Sequence, residues 1–178
     1  FDPAWSPDGR RIAFSALHGG VLDLFVFDLE TRALTQLTDD PFADLHPEWS
    51  PDGTRLAFAT DRFSSNLSTL VFGNTRLGLL DVASRQVQPL AGFPTGRNTN
   101  PEFTANGEAL LFIATPDGIP NVYRADLSSG TTTQVTNLLS GVSGITPLTP
   151  ALTAAANAPV ALFSVFENNE YNIDAAAP

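Results

Sequence analysis

The chain has 178 residues, 43% of them hydrophobic and 16% charged, enough to bury the core of one globular domain. Its net charge is −10 and it has no lysine, which excludes the basic face that nucleic acid requires and disfavours docking on anionic lipid. Cysteine is absent, excluding disulfides and thiolate metal sites, and no apolar run approaches the ~20 residues that span a bilayer, so this segment is not expected to insert into a membrane.

Taken in order, the chain repeats. Pro3-Ala4-Trp5-Ser6-Pro7-Asp8-Gly9 leads into Arg11–Leu17, and Pro47-Glu48-Trp49-Ser50-Pro51-Asp52-Gly53 leads into Arg55–Thr60. Each reads as strand, tight turn, strand. Pro7 and Pro51 preset φ, Asp8 and Asp52 suit the next position, and Gly9 and Gly53 accept φ > 0. The stretch returns in altered form at Pro101-Glu102-Phe103-Thr104-Ala105-Asn106-Gly107, and a fourth copy starting at Pro150 has lost its turn residues. Trp5, Trp49, Phe103 and Leu152 mark one repeat position, spaced 44, 54 and 49 residues apart. Aromatics at equivalent places in consecutive repeats predict packing between units, with Trp5 and Trp49 both buried.

Two further strands follow in each unit. In the first, Leu22–Asp28 is apolar on both faces, as expected of a sheet held between two others, and residues 34–38 form the fourth strand. In the second unit these are Arg76–Asp81 and Gln86–Leu90, after a longer excursion over Asp61–Asn74. In the third they are Asn121–Asp126 and Thr132–Thr136. The fourth unit has Thr149–Thr153, Val160–Phe166 and Glu170–Asp174, with its last strand missing. Asp28, Asp81, Asp126 and Asp174 close the third strands, where a carboxylate accepts N–H bonds across the turn. Several four-stranded antiparallel units with two apolar faces make an all-β fold, a β-propeller of about four blades spanning roughly 1–44, 45–99, 100–148 and 149–178, the last incomplete. A β-sandwich also uses short strands but does not need a repeat of this period.

The run Pro-x-Trp-Ser-Pro-Asp-Gly-x-x-Leu/Ile-Ala-Phe, intact at Pro3–Phe14 and Pro47–Phe58 and followed in the first copy by an Asp-terminated strand and Leu34-Thr35-Gln36-Leu37-Thr38, resembles the TolB-type propeller repeat, the Pro-Asp relative of the WD-type repeat. The resemblance implies a protein-binding scaffold of the bacterial periplasm or cell envelope. The sequence has no methionine and begins inside a motif, at Phe1-Asp2-Pro3, so it is expected to be a piece of a longer protein. The same group includes propellers that gate peptidases, which keeps a gating or substrate-selecting role open as an alternative. In either case the repeat residues are structural, so no catalytic role and no cofactor carries over.

Antiparallel strands put the second-to-third and fourth-to-first connections on one rim. There Asp39–Asp44, Asp61–Asn74, Gly92–Thr99, Asp117–Pro120 and Leu138–Pro147 are long and differ between units, as recognition loops do. Strand A is the innermost strand, so the residues flanking its proline should ring the channel mouth. His46, Glu48, Asn100 and Glu102 are therefore the expected contacts for a protein or peptide partner. Asp44, His46 and Glu48 at alternate positions are weighed as a cation set and set aside for a solvated acidic rim, so no metal is assigned. His18, beside Gly19-Gly20, reads as a hairpin-tip residue. Open blade edges, with an unpaired strand at Glu170–Asp174, point to homo-association as well.

Overall fold

The computed structural model describes residues 1–146 and 149–177. Pro147, at the end of the loop expected over Leu138–Pro147, Leu148, at the expected third blade boundary, and Pro178 lie outside the described residues.

The chain folds into four antiparallel sheets in sequence order. The first comprises β1 (Ala4–Trp5), β2 (Arg11–His18), β3 (Val21–Asp28) and β4 (Leu34–Gln36). The second comprises β5 (Asp44–Trp49), β6 (Arg55–Thr60), β7 (Arg76–Asp81) and β8 (Val87–Pro89). The third comprises β9 (Asn98–Phe103), β10 (Ala109–Ala114), β11 (Asn121–Asp126) and β12 (Thr132–Gln134). The fourth has three strands among the described residues, β13 (Leu152–Ala154), β14 (Ala161–Glu167) and β15 (Glu170–Ala176). These are the blades of an all-β propeller, each made by strands that follow one another.

The turns between the first two strands of each blade are built by their own side chains. Ser50 Oγ donates to Asp52 Oδ1 at 2.6 Å, and Asp52 also accepts the Thr54 N–H at 3.0 Å. Ser6 and Asp8 make the same pair, and Thr104 with Asn106 reproduces it. Gly9 and Gly53 have φ of 67° and 69°, which L side chains rarely adopt. The bond from Ser50, followed by the Thr54 N–H, pulls the Asp52 carboxyl down to about 2. At the other turn of each blade, Asp28 Oδ1 accepts the Thr31 N–H at 2.7 Å, and Asp81 and Asp126 act alike. Asp174 departs from that expectation: it lies inside β15, paired with Phe163, because that strand continues to Ala176.

Blades pack face to face. Leu24 and Val26 of the first meet Trp49, Leu56 and Phe58 of the second. Leu79 and Ala57 meet Phe103 and Leu110, and Leu111 and Val122 meet Leu152 and Phe163. Trp49 is the keystone of the first interface, 2% exposed, with the Arg11 guanidinium 4.5 Å from its ring centroid and its Nε1 donating to Ala4 O at 3.3 Å.

Trp5 corrects the expectation. It is 60% exposed. The cross-strand register places it in a row with Ile12, Phe27 and Leu34 on the face of blade one turned away from blade two, where no other blade packs among the described residues. Blade four has a matching outward face of Leu162, Ile173, Phe166 and Tyr171.

Candidate functional site

The inner strands of the first three blades converge on a pocket of about 130 Å³, and His46, Glu48, Asn100 and Glu102 all line it, with Asp2 and with Pro150 from the segment leading into β13. The backbone explains part of this. Asp2, His46 and Asn100, each just before the strand proline, have φ of 50°, 51° and 48°. Asp, His and Asn are among the few non-glycine residues that enter this region readily. The register shifts there, between Leu45 and Glu48 in blade two and opposite Leu111–Ile113 in blade three, as a β-bulge does.

The bulge re-aims the side chains. His46 is buried and its Nε2 lies 3.7 Å from Asp2 Oδ2. Asn100, also buried, accepts the Ala151 N–H at 3.3 Å, and Glu102 Oε2 accepts the Ala154 N–H at 3.2 Å. These residues thus tie neighbouring inner strands together as well as lining the pocket.

Asp44 does not join His46 and Glu48, which corrects the alternate-position grouping weighed from sequence. The bulge breaks the alternation, and fully buried Asp44 takes two bonds from the Arg62 guanidinium, at 2.9 and 2.7 Å. Arg62 also reaches Asp40 at 2.8 Å. Burial pushes the Asp44 carboxyl up to about 6 against the pull of Arg62. This lock between the link into blade two and its Asp61–Asn74 excursion was not anticipated, since no local pattern joins Arg62 to a residue 18 positions away.

Glu48 and Glu102 behave otherwise. Both are partly buried, and among the described residues neither pairs with an arginine. Burial raises both well above the ordinary 4.5, the charge of Glu102 raises Glu48 further, and the two titrate as a pair. The arrangement can share a proton, or accept a cationic donor that enters the pocket. The sequence signal for it was the Pro-Glu of units two and three against the Pro-Ala of units one and four.

Four-stranded blades round an axial pocket define the class: a β-propeller array. Residues 1–66 match the family model described as TolB beta propeller domain, PD40. A 47-residue stretch is 43% identical to the Tol-Pal system protein TolB of Anaeromyxobacter dehalogenans, covering 26% of this chain and 11% of that protein. Residues 1–66 thus carry the TolB-type propeller repeat. Among solved structures, TolB from Acinetobacter baumannii superposes with a TM-score of 0.80 at 24% identity, covering 98% of this chain and 40% of that one. Puromycin hydrolase superposes with a TM-score of 0.69 at 19% identity, covering 97% of this chain and 26% of that one. At these identities the structural likenesses speak for the fold alone.

Proposed function

We propose that this chain is a non-catalytic protein-binding segment of a TolB-like propeller, acting in the bacterial periplasm or cell envelope. In this reading residues 1–178 act as one unit, with blades dividing near 44/45, 99/100 and 148/149. The partner is a protein or peptide that meets the rim of varied loops and reaches the axial pocket through His46, Glu48, Asn100 and Glu102. One observation carries the reading: two inner-strand carboxylates from adjacent blades share a pocket, and among the described residues neither has an arginine partner. A lysine, arginine or amino terminus of a partner supplies the missing charge, and a net charge of −10 steers such a partner in. The outward faces of blades one and four offer a second mode, association with another copy.

The test is binding of the purified chain to an array of basic and neutral peptides at two salt concentrations. Basic peptides should bind, binding should weaken with salt, and the double variant Glu48→Gln/Glu102→Gln should lose about tenfold or more in affinity. Undiminished binding by the double variant, or hydrolysis of the peptides by the pure chain, overturns the reading. The fold shared with puromycin hydrolase supports a second one, a gating or substrate-selecting propeller of a larger peptidase. A hydrolase motif in adjoining sequence of the parent gene would favour it.

A further inference from the structure

On the same loop-bearing rim, but at the outer side of blade one, three side chains from three elements converge. His18 ends β2, Asp23 lies in β3, and Asp39 follows β4. One ligand atom of each lies within 4.8 Å of the other two. We infer that His18, Asp23 and Asp39 form a binding site for a divalent transition metal of the zinc class, one that uses none of the axial-pocket residues.

The donor set is specific. An imidazole with two carboxylates suits zinc, cobalt or nickel, whereas magnesium and calcium prefer oxygen alone. Donors about 2.1 Å from a tetrahedral ion stand about 3.4 Å apart, so small rotations of the exposed His18 and Asp39 side chains complete the geometry. The supporting contacts are in place. Asp23 is held by Gln36 Nε2 at 3.2 Å and Thr38 Oγ1 at 3.3 Å, and the His18 ring stands edge-on to Phe25 at 6.4 Å. Three protein donors leave room for water or a partner's donor on the ion.

An independent observation comes from blade three. Leu24 N donates to Thr38 Oγ1 at 2.9 Å, and Val122 N donates to Thr136 Oγ1 at 2.9 Å, so Asp23 corresponds to Asn121 and Asp39 to Asn137. Asn121 does the structural work without charge, accepting from Thr136 Oγ1 at 2.9 Å and Leu138 N at 2.8 Å. It is as buried as Asp23, each 2% exposed. The fold thus needs only a neutral amide there. Blade one instead buries a carboxylate beside a second carboxylate, with no arginine paired to it among the described residues, and its hairpin runs two residues longer to bring in His18, which blade three lacks. A buried charge without a counter-charge is costly, and a bound cation removes that cost.

The experiment uses the whole chain, stripped with EDTA and titrated with Zn²⁺ by calorimetry and with Co²⁺ by visible absorption. Imidazole resonances are followed by NMR, which is direct because the chain has two histidines. One equivalent should bind, shifting His18 and leaving His46 unmoved. His18→Ala, Asp39→Asn and Asp23→Asn should each weaken binding about tenfold or more. Asp23→Asn should keep the wild-type melting behaviour, since Asn121 already fills the equivalent place. Absence of binding, unmoved His18 resonances, or unchanged affinity in His18→Ala or in folded Asp23→Asn would overturn the site.

Discussion

Trp5 and Trp49 stand at one position of one repeat, immediately precede identical Ser-Pro-Asp-Gly turns, and differ thirtyfold in exposure, 60% against 2%. Nothing within either motif accounts for this. Trp49 has blade one to pack against, with Ala4, Leu24 and Val26 beneath it, whereas among the described residues no other blade lies over the face carrying Trp5. The strand–turn–strand unit is therefore a local property, while burial of its aromatic is conferred by the neighbour. Ala4 and Glu48, and Gly9 and Gly53, are the other equivalent pairs through which the first two blades can be set against each other.

The largest expected contrast is in the tryptophans. Trp49→Ala should cost about 3–5 kcal/mol in denaturant unfolding, as removal of a buried large aromatic does, and Trp5→Ala less than about 1 kcal/mol. Equal losses would mean that Trp5 is covered in solution, by another copy of the chain. Light scattering complements this: if the outward faces associate, the chain is dimeric or larger and Trp5→Ser shifts it towards monomer. A dispersed monomer that binds no hydrophobic dye would refute association.

The next contrast sets Glu48 against Ala4. Folding raises the pKa of Glu48 and Glu102, so the folded state holds protons that the unfolded state has released. The stability these groups contribute is complete below their unfolded value of 4.5 and is lost as pH rises through neutrality. Glu48→Gln should then match wild type near pH 4 and exceed it by about 1–3 kcal/mol at pH 9. A wild-type denaturation midpoint that does not fall between these pH values would remove the basis for that pair.

The smallest effect is in the turns. Gly53→Ala should destabilise by about 1 kcal/mol through its φ of 69°, and Gly9→Ala by a similar amount. A Cβ at Gly53 meets Arg11 at 3.6 Å and Pro7 at 3.7 Å, ordinary contacts, and one at Gly9 meets nothing. A large difference between the two would show that crowding between blades, rather than backbone conformation, sets the cost.

What was legible in the sequence follows the same division. Ser50-Pro51-Asp52-Gly53 announces its turn because every group that builds it lies within six residues. The strand faces were readable from their alternation, and the gathering of His46, Glu48, Asn100 and Glu102 followed from the repeat. The pairing of Asp44 with Arg62, the extension of β15 past Asp174, and the meeting of His18 with Asp39 were not readable. Each depends on a loop path or a register shift that no local pattern records. The exposure of Trp5 was hidden for a related reason, since a repeat motif describes a blade and not its neighbour.

The left-handed residue before the inner-strand proline of the first three blades limits how this scaffold can diversify. Asp2, His46 and Asn100 occupy a backbone conformation that branched and bulky apolar residues resist. As long as the bulge is kept, mutation at these places draws on a short alphabet of Asp, Asn, His and glycine. The mouth of the channel can therefore exchange one hydrogen-bonding group for another with little strain, but it cannot readily turn greasy.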